Sequence, residues 1–200
     1  MSYRIIKTCI ILVAIQFSAI TTDAQQFTID DVPLSWKDFK VRKDLNSHPY
    51  AAKIYPDFTL ETKQSKKNGV TYQRFSWKIE FKGSWVKARF MDEAHDSTKQ
   101  SLLNHEKGHL LIDMIGLKKV QKSIGNFTFS KRKKIELDSI YIVHLGNLRV
   151  DNERYDEETN HSRIAEKQKE WIDKLLTELN ALYADEKKLR LELEAEARVN

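Results

Sequence analysis

Two histidines four residues apart on a helical stretch constrain this chain more than any other feature. From Ser97 to about Ile124 the apolar residues recur every three or four positions. Leu102, His105, His109 and Ile112 fall on one face; Leu103, Leu110, Met114 and Leu117 form a second stripe. Ser97 with Gln100 three residues on reads as a capping box, and Gly125 as the terminator. Residues four apart on a helix differ by about 40° in azimuth and about 6 Å in height. The His105 and His109 imidazoles therefore leave one face together, with Glu106 projecting about 100° away from His105.

His105-Glu106-x-x-His109 is the spacing with which two imidazoles hold one tetrahedral Zn²⁺ at about 2.0–2.1 Å. Glu106 flanks such an ion rather than binding it, where a carboxylate can take a proton from water. A catalytic zinc site uses three protein donors and keeps the fourth position open. The third donor is open among His48, His95, His144, His161 and several carboxylates. Asp113, one turn beyond His109, is too short to ligate on a straight helix and suits steadying the far nitrogen of His109. His161 stands in Tyr155-Asp156-Glu157-Glu158-Thr159-Asn160-His161, where a phenol and three carboxylates gather near an expected helix start. Tyr155 could hydrogen-bond a developing oxyanion. An acidic helix N-terminus with a surface histidine explains the same stretch equally well.

Residues 1–24 read as a secretory signal peptide. Arg4 and Lys7 precede an apolar run from Cys9 to Ile20, and Thr22-Asp23-Ala24 offers small residues at a cleavage site. The run is shorter than the roughly 20 residues a membrane span needs. Cleavage removes the single cysteine, Cys9, so the exported chain has no disulfide or thiol chemistry, and any metal must sit on histidines and carboxylates. The expected location is secreted or periplasmic, with no stable membrane insertion. The net charge of +5 is mild and mixed along the chain, and no nucleic-acid motif accompanies it.

The expected fold is α+β: an N-terminal antiparallel sheet, a zincin-like metal-binding helix packed on it, and a long C-terminal helix. Phe75, Trp77, Ile79 and Phe81 alternate on one face of a strand, and Asn68-Gly69 suggests a hairpin back to Phe58–Thr62. Residues 84–90 read as a further strand. Trp36, Trp77 and Trp85 are expected in the core. A second helix is expected from Ser130 or Lys131 to about Val150, and a third from about Asp156 to the end. In the latter, Ile172, Leu175, Leu179, Leu182, Leu189 and Leu193 keep heptad-like spacing. The domain is expected to span 25–184, with a charged helical tail over 185–200 that could dock a partner protein.

With Leu34-Ser35-Trp36-Lys37-Asp38-Phe39, Ser84-Trp85-Val86-Lys87, Leu103-Asn104-His105-Glu106-Lys107-Gly108-His109 and Tyr155-Asp156-x-x-Thr159-x-His161, the chain resembles the DUF922 family. These are exported bacterial proteins regarded as zinc-dependent proteases. The resemblance runs from about residue 33 to 175. It implies His105, His109 and His161 as zinc ligands and Glu106 as the base. The chain departs from the family pattern at Lys107, where the family has Gln and the side chain is expected to point outward, and at Ser162, where the family has Gly. The first reading is an exported metallopeptidase acting on peptides or proteins. The second is a noncatalytic zinc-stabilised module. A third has no metal, with both histidines packed on the strands; an amidase acting on the cell wall also fits zinc-assisted hydrolysis.

Overall fold

In the computed structural model, the residues described are 26–45, 47–67, 70–126 and 130–199. The expected signal peptide and the Asn68-Gly69 turn lie outside them. The chain is α+β, with its strands in the first half and long helices after.

Two one-turn 3₁₀ segments, Ile29–Asp31 and Trp36–Asp38, open the described chain. Each is set by a hydroxyl residue and an aspartate three positions on. The Thr28 N–H donates to Asp31 Oδ2 at 2.8 Å, and the Ser35 N–H to Asp38 Oδ2 at 2.8 Å. Such reciprocal boxes satisfy backbone donors that a short turn leaves unpaired, and they bring Val32, Leu34 and Phe39 inward to burial.

Three short strands form a mixed sheet. Strands β1 (Lys40–Arg42) and β5 (Trp85–Lys87) run parallel, and β2 (Ala52–Lys53) pairs antiparallel on the far side of β5. The pairing of β2 with β5 is antiparallel, as expected, and the parallel β1–β5 pair makes the sheet mixed. Strands β3 (Asp57–Lys67) and β4 (Val70–Glu80) make a separate antiparallel hairpin, from Asp57↔Glu80 to Lys67↔Val70. The strand expected over 84–90 stops at Lys87, because Ala88–Glu93 is already helical (α1). Trp85 and Trp77 are buried and Trp36 packs on the core.

Helix α2 (Asp96–Asn126) starts before Ser97 and runs through Gly125, so neither expected boundary residue ends it. It is the central element: Leu110 and Leu111 are fully buried, and α3 and α4 both pack on it. Two α2 glycines set how closely α3 approaches. A Cβ on Gly108 would overlap the Tyr155 hydroxyl and come 2.5 Å from its Cζ; one on Gly116 would come 2.7 Å from Leu148 Cγ.

Helix α3 runs unbroken over Lys133–Thr159, with no interruption near residues 151–155. No proline or glycine stands there to stop it, and Leu148, Tyr155 and Thr159 continue its inward face. The break comes at Asn160, His161 and Ser162, three consecutive residues with φ of 47°, 51° and 72°. Helix α4 (Ala165–Val199) follows. Its Ile172, Leu175 and Leu179 are buried, as the heptad-like spacing predicts, and Trp171 is buried beside them. It continues without a break past residue 184. Asp185 pairs with Lys122 at 3.0 Å, and Glu186 pairs with the buried Lys118, tying this part of the helix to α2. No helix among the described residues is long and apolar enough to cross a membrane.

Candidate metal centre

The site lies where the middle of α2, the end of α3 and the α3–α4 turn meet. Three imidazoles converge on one carboxylate oxygen there. His105 Nε2, His109 Nε2 and His161 Nδ1 each lie 3.1 Å from Asp156 Oδ1. One donor atom each from His105, Asp156 and His161 lie within 4.8 Å of one another. The i, i+4 spacing on α2 aims the first two rings. Asp156 is three residues before the end of α3, and His161 reaches back to it from the turn. The His161 N–H also donates to the Asp156 carbonyl at 3.0 Å.

Hydrogen bonds on the far side fix the histidine tautomers. Asn152 Oδ1 lies 2.7 Å from His109 Nδ1, while the Asn152 amide nitrogen donates to the Leu148 carbonyl at 2.9 Å and to Asp113 Oδ1 at 3.2 Å. An amide with its NH₂ so engaged offers only its oxygen to His109, so Nδ1 carries the proton. Thr159 Oγ1 donates to the Tyr155 carbonyl at 2.7 Å and faces His105 Nδ1 at 3.5 Å, which favours the same tautomer. In the neutral rings, both Nε2 lone pairs then point at a carboxylate oxygen. Lone pairs and anionic oxygen repel unless a proton on the ring or a metal cation lies between them, and at His109 the neighbouring Asp156 and Glu106 favour the proton while no metal is bound. A tetrahedral zinc site with bonds of about 2.0–2.1 Å has neighbouring donors about 3.3–3.4 Å apart. His105, Asp156 and His161 thus place one donor each close enough for a single divalent ion to be shared, and imidazole nitrogen with carboxylate oxygen is a donor set that zinc accepts.

The charges follow the same geometry. Burial alone would raise the Asp156 carboxyl, but the His105 and His109 contacts outweigh it and hold it well below the usual carboxylate range. Burial lowers His105 despite Asp156. At His109 burial also opposes charge, yet Asp156 and Glu106 together raise it. Glu106 is 4% exposed, and one of its oxygens accepts the Ile54 N–H at 2.9 Å, just past β2. Burial pushes its pKa up, the direction a general base working near neutrality needs.

Asp113 does steady His109, but through Asn152 rather than directly. Burial raises its pKa to about 6, against the opposing pull of Asn152 and His109. The folded state thus holds this proton more tightly than the unfolded chain does. Stability falls as pH rises from about 4 to about 6, and the full cost persists above. Asp113→Asn, which keeps an acceptor for Asn152, is expected to stabilise the protein at pH 8 by about 1–3 kcal/mol and to change little at pH 4. Urea unfolding at the two pH values measures it; equal effects at both would contradict the assignment.

Tyr155 requires a correction. Its side chain is fully buried, its ring stacks on His105 at 4.8 Å with the planes 17° apart, and its hydroxyl packs on Gly108 with no hydrogen-bond partner. It sits behind the imidazoles as a wall, out of reach of an oxyanion in front of them. A second phenol, the exposed Tyr50, lies with its ring 4.7 Å from that of His161. Nothing in the sequence near Tyr50 signals this, because the loop before β2 brings it there. Lys107 is also corrected: it is buried, and its Nζ donates to the Ile29 carbonyl at 2.9 Å, tying α2 to the first 3₁₀ turn.

Of the other histidines, His48 packs on Trp85 at 4.8 Å and accepts the Tyr50 N–H, His144 pairs with Ser123 at 3.0 Å, and His95 is exposed just before α2. None joins the cluster. Asp156 and Asn152 are the members the sequence reading did not single out.

The left-handed turn that aims His161 holds three non-glycine residues where a Cβ costs about 1–2 kcal/mol each. Ser162, at φ 72°, is the position where glycine would relieve that cost. Ser162→Gly is expected to raise unfolding free energy by about 0.5–1 kcal/mol, the strain relieved less the entropy glycine adds to the unfolded chain. A lower melting temperature would contradict this.

Compared with protein-family models, curated proteins and solved structures, the chain matches none.

Proposed function

We propose that the protein is an exported zinc-dependent metallopeptidase in which His105, His109 and His161 hold the ion and Glu106 is the general base. The observation that carries this reading is the convergence of three imidazole nitrogens on Asp156 Oδ1, each at 3.1 Å, beside a buried carboxylate one residue from the first histidine. When bound, zinc supplies Lewis acidity and makes water nucleophilic near neutral pH. Glu106 takes the proton of the attacking water and returns it to the leaving amine. The Ile54 N–H holds one of its oxygens and leaves the other to do so. Asn152 and Thr159 orient the rings from behind, and Tyr155 walls the site from the core. Export is inferred from residues 1–24 alone.

One observation favours a second reading. Asp156 is itself one of the three residues, with His105 and His161, whose donor atoms lie within 4.8 Å of one another, and a carboxylate on the ion beside three histidines would leave no open position, the make-up of a structural zinc site. On that reading the ion staples α2 to the α3–α4 turn, and the protein is a noncatalytic binding module.

Hydrolysis of an unfolded protein substrate separates the two. The peptidase reading expects cleavage that a chelator stops and added zinc restores. Purified protein that holds zinc and cleaves no peptide or amide substrate supports the module.

A further inference from the structure

Away from the metal centre, the outer face of α3 is apolar and uncovered. Ile135, Ile142, Val143, Leu145 and Val150 are all more than half exposed, and Ile142 reaches 70%. On a helix, Ile135, Ile142 and Gly146 share one stripe, with Val150 and Val143 along one edge and Leu145 along the other. Scattered exposed apolar residues need no explanation; a contiguous stripe on one helix does.

Gly146 lies in the middle of this stripe. A Cβ there would meet nothing within 4 Å, unlike Gly108 and Gly116, which the α3 side chains crowd. Glycine within a helix costs about 1 kcal/mol relative to alanine, and among the described residues of a single copy nothing at Gly146 offsets it. A second helix crossing closely at this point would.

The charges along the face identify that helix. Lys131, Arg132 and Lys134 stand exposed at its beginning, and Glu153 and Glu157 at its end. Asp138 and Arg149 lie between, in the order basic, acidic, basic, acidic. Two such faces side by side in parallel would set like charges against like. Turned antiparallel about Ile142 they become complementary, because Lys131 and Glu153 are equally far from it along the chain. Lys131, in the turn just before α3, then lies at the same end as Glu153 of the other copy, which in its own chain pairs with Arg149 at 3.6 Å, and Asp138 of each lies within a turn of Arg149 of the other. A face complementary to itself under a two-fold rotation is the signature of an isologous dimer.

We propose that the outer face of α3 is a two-fold interface with a second copy of this chain, its axis passing near Ile142. The apolar stripe provides the attraction, and the end charges set the antiparallel direction. The proposal is independent of the metal-site reading.

Sedimentation equilibrium of the purified protein at micromolar concentration tests it, with melting curves confirming that each variant folds. The wild type is expected to be dimeric. Ile142→Glu, which sets two carboxylates against each other across the axis, is expected to raise the dimer Kd at least tenfold. Lys131→Glu and Glu153→Lys lie on the solvated rim and do not threaten folding. Each alone is expected to weaken the dimer several-fold, and the two combined to bring it back to within about twofold of wild type, because every cross-axis pair is then opposite in sign again. A wild type that stays monomeric, a dimer indifferent to Ile142→Glu, or a double swap as weak as the single changes would each overturn the proposal. The first result would leave the face to a different partner.

Discussion

Glu106→Gln is expected to leave zinc bound at one ion per chain and to lower peptide hydrolysis by about 10²–10⁴-fold, the usual contribution of a positioned general base. The substitution is nearly isosteric. The side-chain oxygen of glutamine still accepts the Ile54 N–H, so the loop after β2 keeps its anchor. What disappears is basicity at a position flanking the three imidazoles. Glu106 is outside the group of donors that converge on Asp156 Oδ1, so metal content should not change. Retained zinc with undiminished turnover would remove Glu106 from the chemistry.

Gly108→Ala is expected to cost about 1–3 kcal/mol of stability, the range for forcing extra atoms into a packed interior, and to weaken zinc binding by at least tenfold. The cause is local. The new methyl would fall 2.5 Å from Tyr155 Cζ and 2.8 Å from its Cε1, both part of a rigid ring whose side chain has no exposed surface to move toward. Displacing that ring moves the wall on which His105 stacks and shifts α3, which carries Asp156 and Asn152. The glycine of the His-Glu-x-Gly-His run is thus a packing requirement of helix α3. Unfolding titrations and competitive zinc binding read both effects. A variant as stable as wild type with undiminished zinc affinity would show that α3 yields at little cost.

The sequence disclosed the α2 side of this site and concealed much of the α3 side. His105 and His109 are local to one helix, so periodicity alone places them on one face. The α4 core positions Ile172, Leu175 and Leu179 were legible for the same reason. The α3–α4 break was misplaced because no glycine or proline marks it; three left-handed non-glycine residues make the turn instead. That error put Asp156 at a helix start, where acidic residues are ordinary, rather than near a helix end. Tyr155 looked like an oxyanion donor because it adjoins Asp156 in sequence, but on a helix adjacent residues point about 100° apart. One therefore faces the three histidines and the other the core. Lys107 was misjudged because the segment at Ile29 that covers it lies 78 residues away in the chain.

Metal analysis of the protein purified without added metal, alongside its His161→Ala variant, bears most directly on the metal centre. The wild type is expected to carry one zinc per chain, and His161→Ala much less. A wild type that contains no metal and takes up none from a zinc buffer, or a variant that keeps a full equivalent, would contradict a centre built by α2 together with the α3–α4 turn.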